Sequence, residues 1–329
     1  MMSIDSIFEA FHKLKVLIIG DVMIDRYLQG QVRRISPEAP VPVVHWESSE
    51  DRLGGAANVA LNIAALGATP LLFSVIGRDE NQRHFLDLMD RHKLDARGLL
   101  LSEERISTVK TRVIAQNQHL LRVDQEDQHD LSERETTALL QNLRWYLDEM
   151  SMDVIIFQDY NKGVLTPAVI ETVIAEAHRR NIPTVVDPKF NNFWAYRQVT
   201  LFKPNLREIR DQLPFAVHPE ADSLLAAARA LRERLQHGIT LITLSEKGLF
   251  AEDREGHILI PTHPRTIADV CGAGDTVIST VALGLALGLP LSEIGQMANL
   301  AGGQVCEKVG VVPVDREQLQ EEYRQLTVD

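Results

Sequence analysis

Five short runs of apolar and β-branched residues set the terms for any fold this chain can take: KVLIIG at 15–20, TPLLFSVIG at 69–77, DVIIFQD at 153–159, IPTVVD at 182–187 and ITLITLS at 239–245. Each run is continuous rather than alternating, so both faces of the strand it predicts must be covered. Amphipathic segments at 55–66, 81–92, 133–148 and 221–236 lie between the runs and supply that cover as helices. The expectation is an α/β protein of three layers, with a mainly parallel central sheet. Ligands of such sheets bind beyond the carboxyl ends of the strands, so the residues that follow each run are the ones to weigh. At 329 residues and 45% hydrophobic content, the chain can bury a large core of this kind.

Two segments break the rhythm. VPVVHWESSED at 41–51 and ISTVKTRVIAQNQHLLRVDQED at 106–127 alternate apolar and polar residues, as strands exposed on one face do. They predict a small β lid, drawn from about 31–51 and 105–124, which covers a substrate or meets a second copy of the chain. With no Ser/Gly linker, internal repeat or low-complexity tract, a single domain spanning 1–329 plus this lid is the simplest organisation.

Charge and composition argue against several function classes. Acids outnumber bases 46 to 34, giving a formal charge of −12 with no basic block, so nucleic acid is not an expected partner. A few cations gathered in one cleft can still hold a small phosphorylated ligand. Two cysteines, Cys271 and Cys306, are too few for a disulfide framework or a zinc site. The longest uncharged run, 276–292, is interrupted by Gly284, Gly288 and Pro290 and falls short of the roughly 20 residues that span a bilayer, so no membrane insertion is expected. The opening MMSIDSIFEAFHKLK lacks the apolar core and cleavage site of an export signal, which makes the cytoplasm the expected location. GDVMID follows the first run where a dinucleotide fold would carry G-x-G-x-x-G, which argues against a redox enzyme.

Four stretches hold chemistry-bearing residues. In CGAGD, 271–275, the glycines precede a helical run; backbone N–H groups and the helix start suit an anion, while Asp275 in the first turn reads equally as a cap. In LGGAANVALNIAALG, 53–67, Asn58 lies one turn beyond Gly54 and Gly55, where its amide faces a sugar hydroxyl or simply solvent. GDVMIDRY, 20–27, places Asp21 and Asp25 beyond the first strand; single acids there are ordinary loop residues, but two acceptors together suit a polyol. In KPNLREI, 203–209, Asn205 and Glu208 have the spacing of a capping box, and their place after a strand also suits phosphate or magnesium.

LGGAANVA, NLRE, TLSEKG and DVCGAGDTV, in this order and across essentially the whole chain, resemble the ribokinase and phosphofructokinase-B superfamily of carbohydrate kinases. GDVMIDRY, RRISPEAPVPVV, QDYNKGVL and VDPK narrow the likeness to its heptose 7-phosphate kinase branch, often found as the N-terminal half of a bifunctional protein. The resemblance implies a ribokinase-like fold and the use of ATP and Mg2+, with K+ as a further cation. It implies Asp275 as the base that deprotonates the anomeric hydroxyl of heptose 7-phosphate, and Gly272, Ala273 and Gly274 as the anion hole for the transferring phosphoryl group. Asp25, Gly54, Gly55 and Asn58, with Asp21 as a branch feature, would hold the sugar. Asn205, Glu208, Ser245 and Gly248 would serve ATP, with Glu208 on Mg2+ directly or through water, and Asp269 matches the K+ ligand.

The substrate's own phosphate demands cations, for which Lys110, Arg112, Arg122, Arg33, Arg34, Lys162 and Lys189 are the candidates; taken singly, each is an ordinary solvated base. A homodimer through the lid and a separate nucleotidyltransferase are the implied partners, the second because the chain ends at Asp329. Cys271 stands where related kinases usually have threonine, which is neutral if only its backbone is used. A kinase for another sugar, such as ribose, fructose or fructose 1-phosphate, and a sugar-binding regulator without turnover remain the alternatives.

Overall fold

All five apolar runs become strands of one sheet in the computed structural model, which describes residues 2–116 and 118–326. In chain order the elements are α1 (Ile4–Phe11), β1 (Lys15–Gly20), β2 (Val22–Ile35), β3 (Pro42–Gly55), α2 (Ala56–Ala65), β4 (Thr69–Gly77), α3 (Glu80–Arg91), β5 (Leu99–Ser102), β6 (Val109–Ala115) and β7 (Gln118–Gln125). There follow α4 (Glu133–Glu149), β8 (Val154–Gln158), α5 (Pro167–Arg180), β9 (Thr184–Asp187), β10 (Leu201–Phe202), α6 (Leu206–Gln212), α7 (Ala221–Leu235), β11 (Ile239–Thr243), β12 (Leu249–Glu252), β13 (His257–Ile260), α8 (Ala273–Ala286), α9 (Leu291–Val305) and α10 (Arg316–Leu326).

The central sheet runs β13-β12-β11-β10-β9-β8-β1-β4-β5, parallel from β11 to β5 and closed at one edge by the antiparallel β12 and β13. Its pleat divides the core in two. Val16 and Ile18 of β1 pack with α1, α2, α3, α8, α9 and α10, whereas Leu17 and Ile19 face α4, α5, α6 and α7. Burial on both faces is why these strands read as continuous apolar runs, and truncating Leu17 to alanine there would cost about 2–5 kcal/mol.

Local chemistry starts the helices. Asp79 caps α3, Ser132 and Glu135 form a capping box on α4, and Thr166 with Pro167 opens α5, which ends at Asn181 in the left-handed conformation.

The lid is larger than the sequence pattern indicated. Four strands, in the order β3-β2-β6-β7, form it, and β2 begins at Val22, directly after β1. GDVMIDRY is therefore the start of a long strand rather than a loop, and Asp25 is a strand residue. The cause is that Val22, Ile24 and Tyr27 are buried at the root of the lid, while its outer end is solvated, so neither a buried nor an alternating pattern runs through the whole strand.

Register lines up Arg52 (β3), Asp25 (β2), Lys110 (β6) and Asp124 (β7) in one row across the lid, followed on the same face by Glu50, Tyr27, Arg112 and Arg122. That face turns toward the core: Tyr27 Oη accepts the Val311 N–H at 3.0 Å, and Arg52 donates to the Val309 and Val311 carbonyls. The opposite face carries Leu28, Val113, Leu121 and Val123.

Candidate active site

The start of α8 is built for a negative charge. Its first residue follows Gly272 in the left-handed conformation (φ 81°), where an added Cβ would meet the Asn58 amide at 3.0 Å, and no side chain caps the helix. Gly272, Ala273 and Gly274 line a cleft of about 890 Å³. An anion in that cleft meets backbone N–H groups and the positive end of the helix dipole.

Asp275, in the first turn of α8, is buried at the floor of the cleft. Asn58 Nδ2 donates to its Oδ2 at 2.8 Å, while Gln158 Nε2 and the Tyr160 hydroxyl donate to Oδ1 at 3.0 and 2.7 Å. Burial pushes its carboxyl up to about 7, against the Asn58 and Tyr160 hydrogen bonds; the Asp187 carboxylate adds to the rise and Lys203 opposes it. A carboxylate with that proton affinity, beside an uncapped helix start, has the properties a general base needs.

The remaining groups come from successive strand ends, where parallel sheets place ligands. Gln158 ends β8 and Tyr160 follows it, Asp187 ends β9 and Lys189 follows it, and Lys203 and Asn205 follow β10. Lys203 Nζ lies 3.0 Å from Asp187 Oδ2, and Lys189 pairs with Glu208. Burial works against the charge on Lys189, yet the Asp187 and Glu208 carboxylates lift it above its ordinary range. Asn205 and Glu208 do form a reciprocal capping box, with both bonds at 2.9 Å, and Asn205 also lines the cleft. Ser245 and Gly248 are cleft residues too; Gly248 has φ 94°, and a Cβ there would strike the Ile260 carbonyl at 1.9 Å.

On the lid side, Asp25 is buried against Gly54, where a Cβ would lie 2.1 Å from Asp25 Oδ2, and it is paired with Arg112. Burial raises the Asp25 carboxyl and Arg112 opposes that rise. Gly55, at φ 61°, turns the chain from β3 into α2 so that Asn58 reaches Asp275. Asn58 therefore faces Asp275 and is fully buried rather than solvated.

Asp21 departs from the expected pairing with Asp25 on a polyol. Its Oδ2 accepts the N–H groups of Tyr160 (2.8 Å) and Lys162 (3.1 Å), and its Oδ1 that of Val164 (3.1 Å). It is buried and braces the loop that brings Tyr160 to Asp275, a job decided by a neighbouring strand and invisible in the local motif.

Among the candidate phosphate ligands, Arg33, Arg34 and Arg122 are exposed, and Lys189 belongs to the cleft beside Asp187. Lys110 and Lys162 instead meet at Glu126: Lys162 Nζ is 2.6 Å from its Oε1, and Lys110 Nζ 3.7 Å from its Oε2. Asp269 accepts N–H groups from Cys271 (3.1 Å) and Gly310 (3.0 Å) and is held below the usual carboxylate range by these and by the Cys271 thiol, although burial opposes them. Burial, followed by Asp269, pushes that thiol up to about 11, so it stays a neutral donor as a threonine hydroxyl would.

Gln158, Tyr160, Asp187, Lys203 and Glu126 were not singled out from sequence. Gln158 and Asp187 close their strands and Tyr160 and Lys203 come just after theirs, so position at a strand's carboxyl end was their signal; Glu126 had none.

A family model described as pfkB family carbohydrate kinase matches residues 13–317. The bifunctional protein HldE of Methylobacillus flagellatus is 42% identical over 309 residues, covering 94% of this chain and 63% of that protein. HldE of Geobacter sulfurreducens is 38% identical over 313 residues, covering 95% and 63%. The chain thus spans less than two thirds of the length of these relatives. Phosphofructokinase-2 from Escherichia coli, solved in complex with potassium, superposes with a TM-score of 0.79 at 19% identity, covering 95% of this chain and 99% of that one. Ribokinase from Arabidopsis thaliana, solved with ribose and ATP, gives 0.73 at 14% identity, covering 94% and 99%. These two structural likenesses are of fold.

Proposed function

The chain belongs to the pfkB family and is an ATP-dependent carbohydrate kinase; from that premise we propose that it phosphorylates the anomeric hydroxyl of D-glycero-β-D-manno-heptose 7-phosphate, giving the 1,7-bisphosphate on the way to ADP-heptose and the lipopolysaccharide core. The observation that carries the chemistry is Asp275, held by Asn58, Gln158 and Tyr160 beside an uncapped helix start. What supports the substrate is the similarity to HldE proteins, together with two lysines and an arginine gathered on the lid side of the base.

Asp275 accepts the proton of the attacking hydroxyl as the oxygen–phosphorus bond forms and the bond to the ADP oxygen breaks. The N–H groups of Gly272, Ala273 and Gly274 and the Lys203 ammonium face the negative charge spread over the transferring phosphoryl oxygens. Asp25 and Asn58 orient the sugar, and Asn205, Ser245 and Gly248 the nucleotide.

Among the described residues no group of three or more His, Cys, Asp or Glu could hold a metal by itself, which suits Mg2+ carried on ATP oxygens and waters, with Asp187 and Glu208 as outer acids. Bound there, it would neutralise phosphate charge. Asp269, held between the Cys271 and Gly310 backbone, is the residue that would hold K+ as an added ligand.

The apolar face of the lid, with Leu121 and Val123 57% and 51% exposed beside Leu28 and Val113, supports pairing with a second copy. Cytoplasmic location belongs to the same proposal; no helix among the described residues is long and apolar enough to cross a membrane.

ADP release, measured with ATP, Mg2+ and K+, should be seen with heptose 7-phosphate and not with ribose, fructose or fructose phosphates. Turnover of another sugar alone would leave the kinase and remove the substrate.

A further inference from the structure

Two lysines from different parts of the fold converge on one carboxylate. Lys110 projects from the inner face of the lid, in the same row as Asp25; Lys162 comes from the core loop that also carries Tyr160 to Asp275. Between them stands Glu126, just beyond β7, with side chains 15%, 11% and 13% exposed for Lys110, Lys162 and Glu126. Gln128 donates to Glu126 Oε1 at 2.8 Å, whereas Oε2 is buried without a hydrogen bond. Asp124, the other acid of the cluster, takes Arg122 at 2.8 Å and also lies 3.5 Å from Lys110 Nζ.

We propose that Lys110 and Lys162 form the subsite for the substrate's remote phosphate and that Glu126 is its resident anion, which occupies the subsite until a phosphate displaces it. This rests on the reading of the acceptor as a sugar phosphate. The charges balance with that displacement: counting Arg122 and Asp124, the cluster holds three positive charges and two negative, and withdrawal of Glu126 leaves a net two positive charges for a phosphate dianion. The placeholder has a physical reason. Two largely buried ammonium groups facing each other would otherwise repel with no charge between them. Burial opposes ionisation of Glu126, but the bonds from Lys162 and Gln128 keep it below the ordinary carboxylate range.

The arrangement also discriminates. A neutral sugar cannot take the place of Glu126, so the Lys162–Glu126 contact that ties lid to core stays shut against it. A phosphosugar with its reacting hydroxyl at Asp275 brings its own dianion to the far end of the site, in place of the single charge of Glu126 that both lysines face.

Inorganic phosphate is the probe, titrated against thermal unfolding of the full chain and as an inhibitor competing with the sugar. Glu126→Gln should bind phosphate about tenfold more tightly than wild type, Glu126→Asp should stay near wild type, and Lys162→Ala should lose the response. Unchanged or weaker phosphate binding in Glu126→Gln, equal tightening in Glu126→Asp, or an unaltered response in Lys162→Ala would each overturn the proposal. Tightening without turnover of heptose 7-phosphate would leave the subsite and remove the substrate reading; turnover without tightening would do the reverse.

Discussion

The floor of the cleft and the inner face of the lid handle charge in opposite ways. Around Asp275 a single carboxylate is enclosed by three donors that carry no charge, Asn58, Gln158 and Tyr160. Across the lid, full charges alternate from strand to strand, Arg52, Asp25, Lys110 and Asp124, each with a partner of opposite sign. The contrast follows from the two tasks proposed for these regions. A base must have a proton affinity near the working pH, which burial among neutral donors provides. A phosphate subsite must keep fixed charge, and fixed charge waiting in a half-buried place has to be paired in the meantime.

Replacing the base is the most severe way to break the contrast. Asp275→Asn should lower kcat by about 10³-fold or more, with ATP binding retained in a nucleotide titration. The folded carboxyl is raised from 3.8 to about 7, so its ionisation penalises the folded state progressively between those values and fully above them. At pH 8 the Asn variant should therefore unfold thermally no earlier than wild type.

Arg112→Ala attacks the lid at its most buried pair. It leaves Asp25 charged and unpartnered, and about 3 kcal/mol of stability should be lost in denaturant titration. Charge reversal at Lys110 should raise KM for heptose 7-phosphate roughly tenfold or more with kcat little altered; an unchanged KM would indicate an unphosphorylated acceptor.

The pH–rate profile separates the regions more finely. kcat/KM should fall about tenfold per unit below an apparent pKa near 7, because only ionised Asp275 accepts the proton. Tyr160→Phe removes a hydrogen bond that favours the ionised form, so this limb should move to higher pH, by less than about one unit, and Lys110 variants should leave it in place. Cys271→Thr is expected to be the mildest, within about threefold of wild-type activity, since either side chain gives Asp269 a neutral donor.

Much of the core was legible because a parallel sheet buries both faces, which writes itself as continuous apolar runs; β1 and β4 begin and end where those runs do. The lid was legible only in part. β2 is buried at one end and solvated at the other, so no single period describes it, and its first residues pass for a loop. In the site, CGAGD and LGGAANVA were readable as motifs because glycine at left-handed backbone and close approach leaves a sequence mark. Asp21 misled for the opposite reason: an acid beyond a strand looks the same whether it meets a sugar or, as here, the N–H groups of residues 160, 162 and 164.

By itself, then, the sequence determined the layered fold, the glycine-rich helix start, and the acid beside it, since each depends on local periodicity or on glycine. Only the tertiary structure decided which donors surround Asp275, that Asp21 braces a loop, and that Lys110, Glu126 and Lys162 share one place. Those depend on strand order and register, which bring residues more than 100 positions apart within hydrogen-bond distance, and no local pattern records a contact made across a sheet.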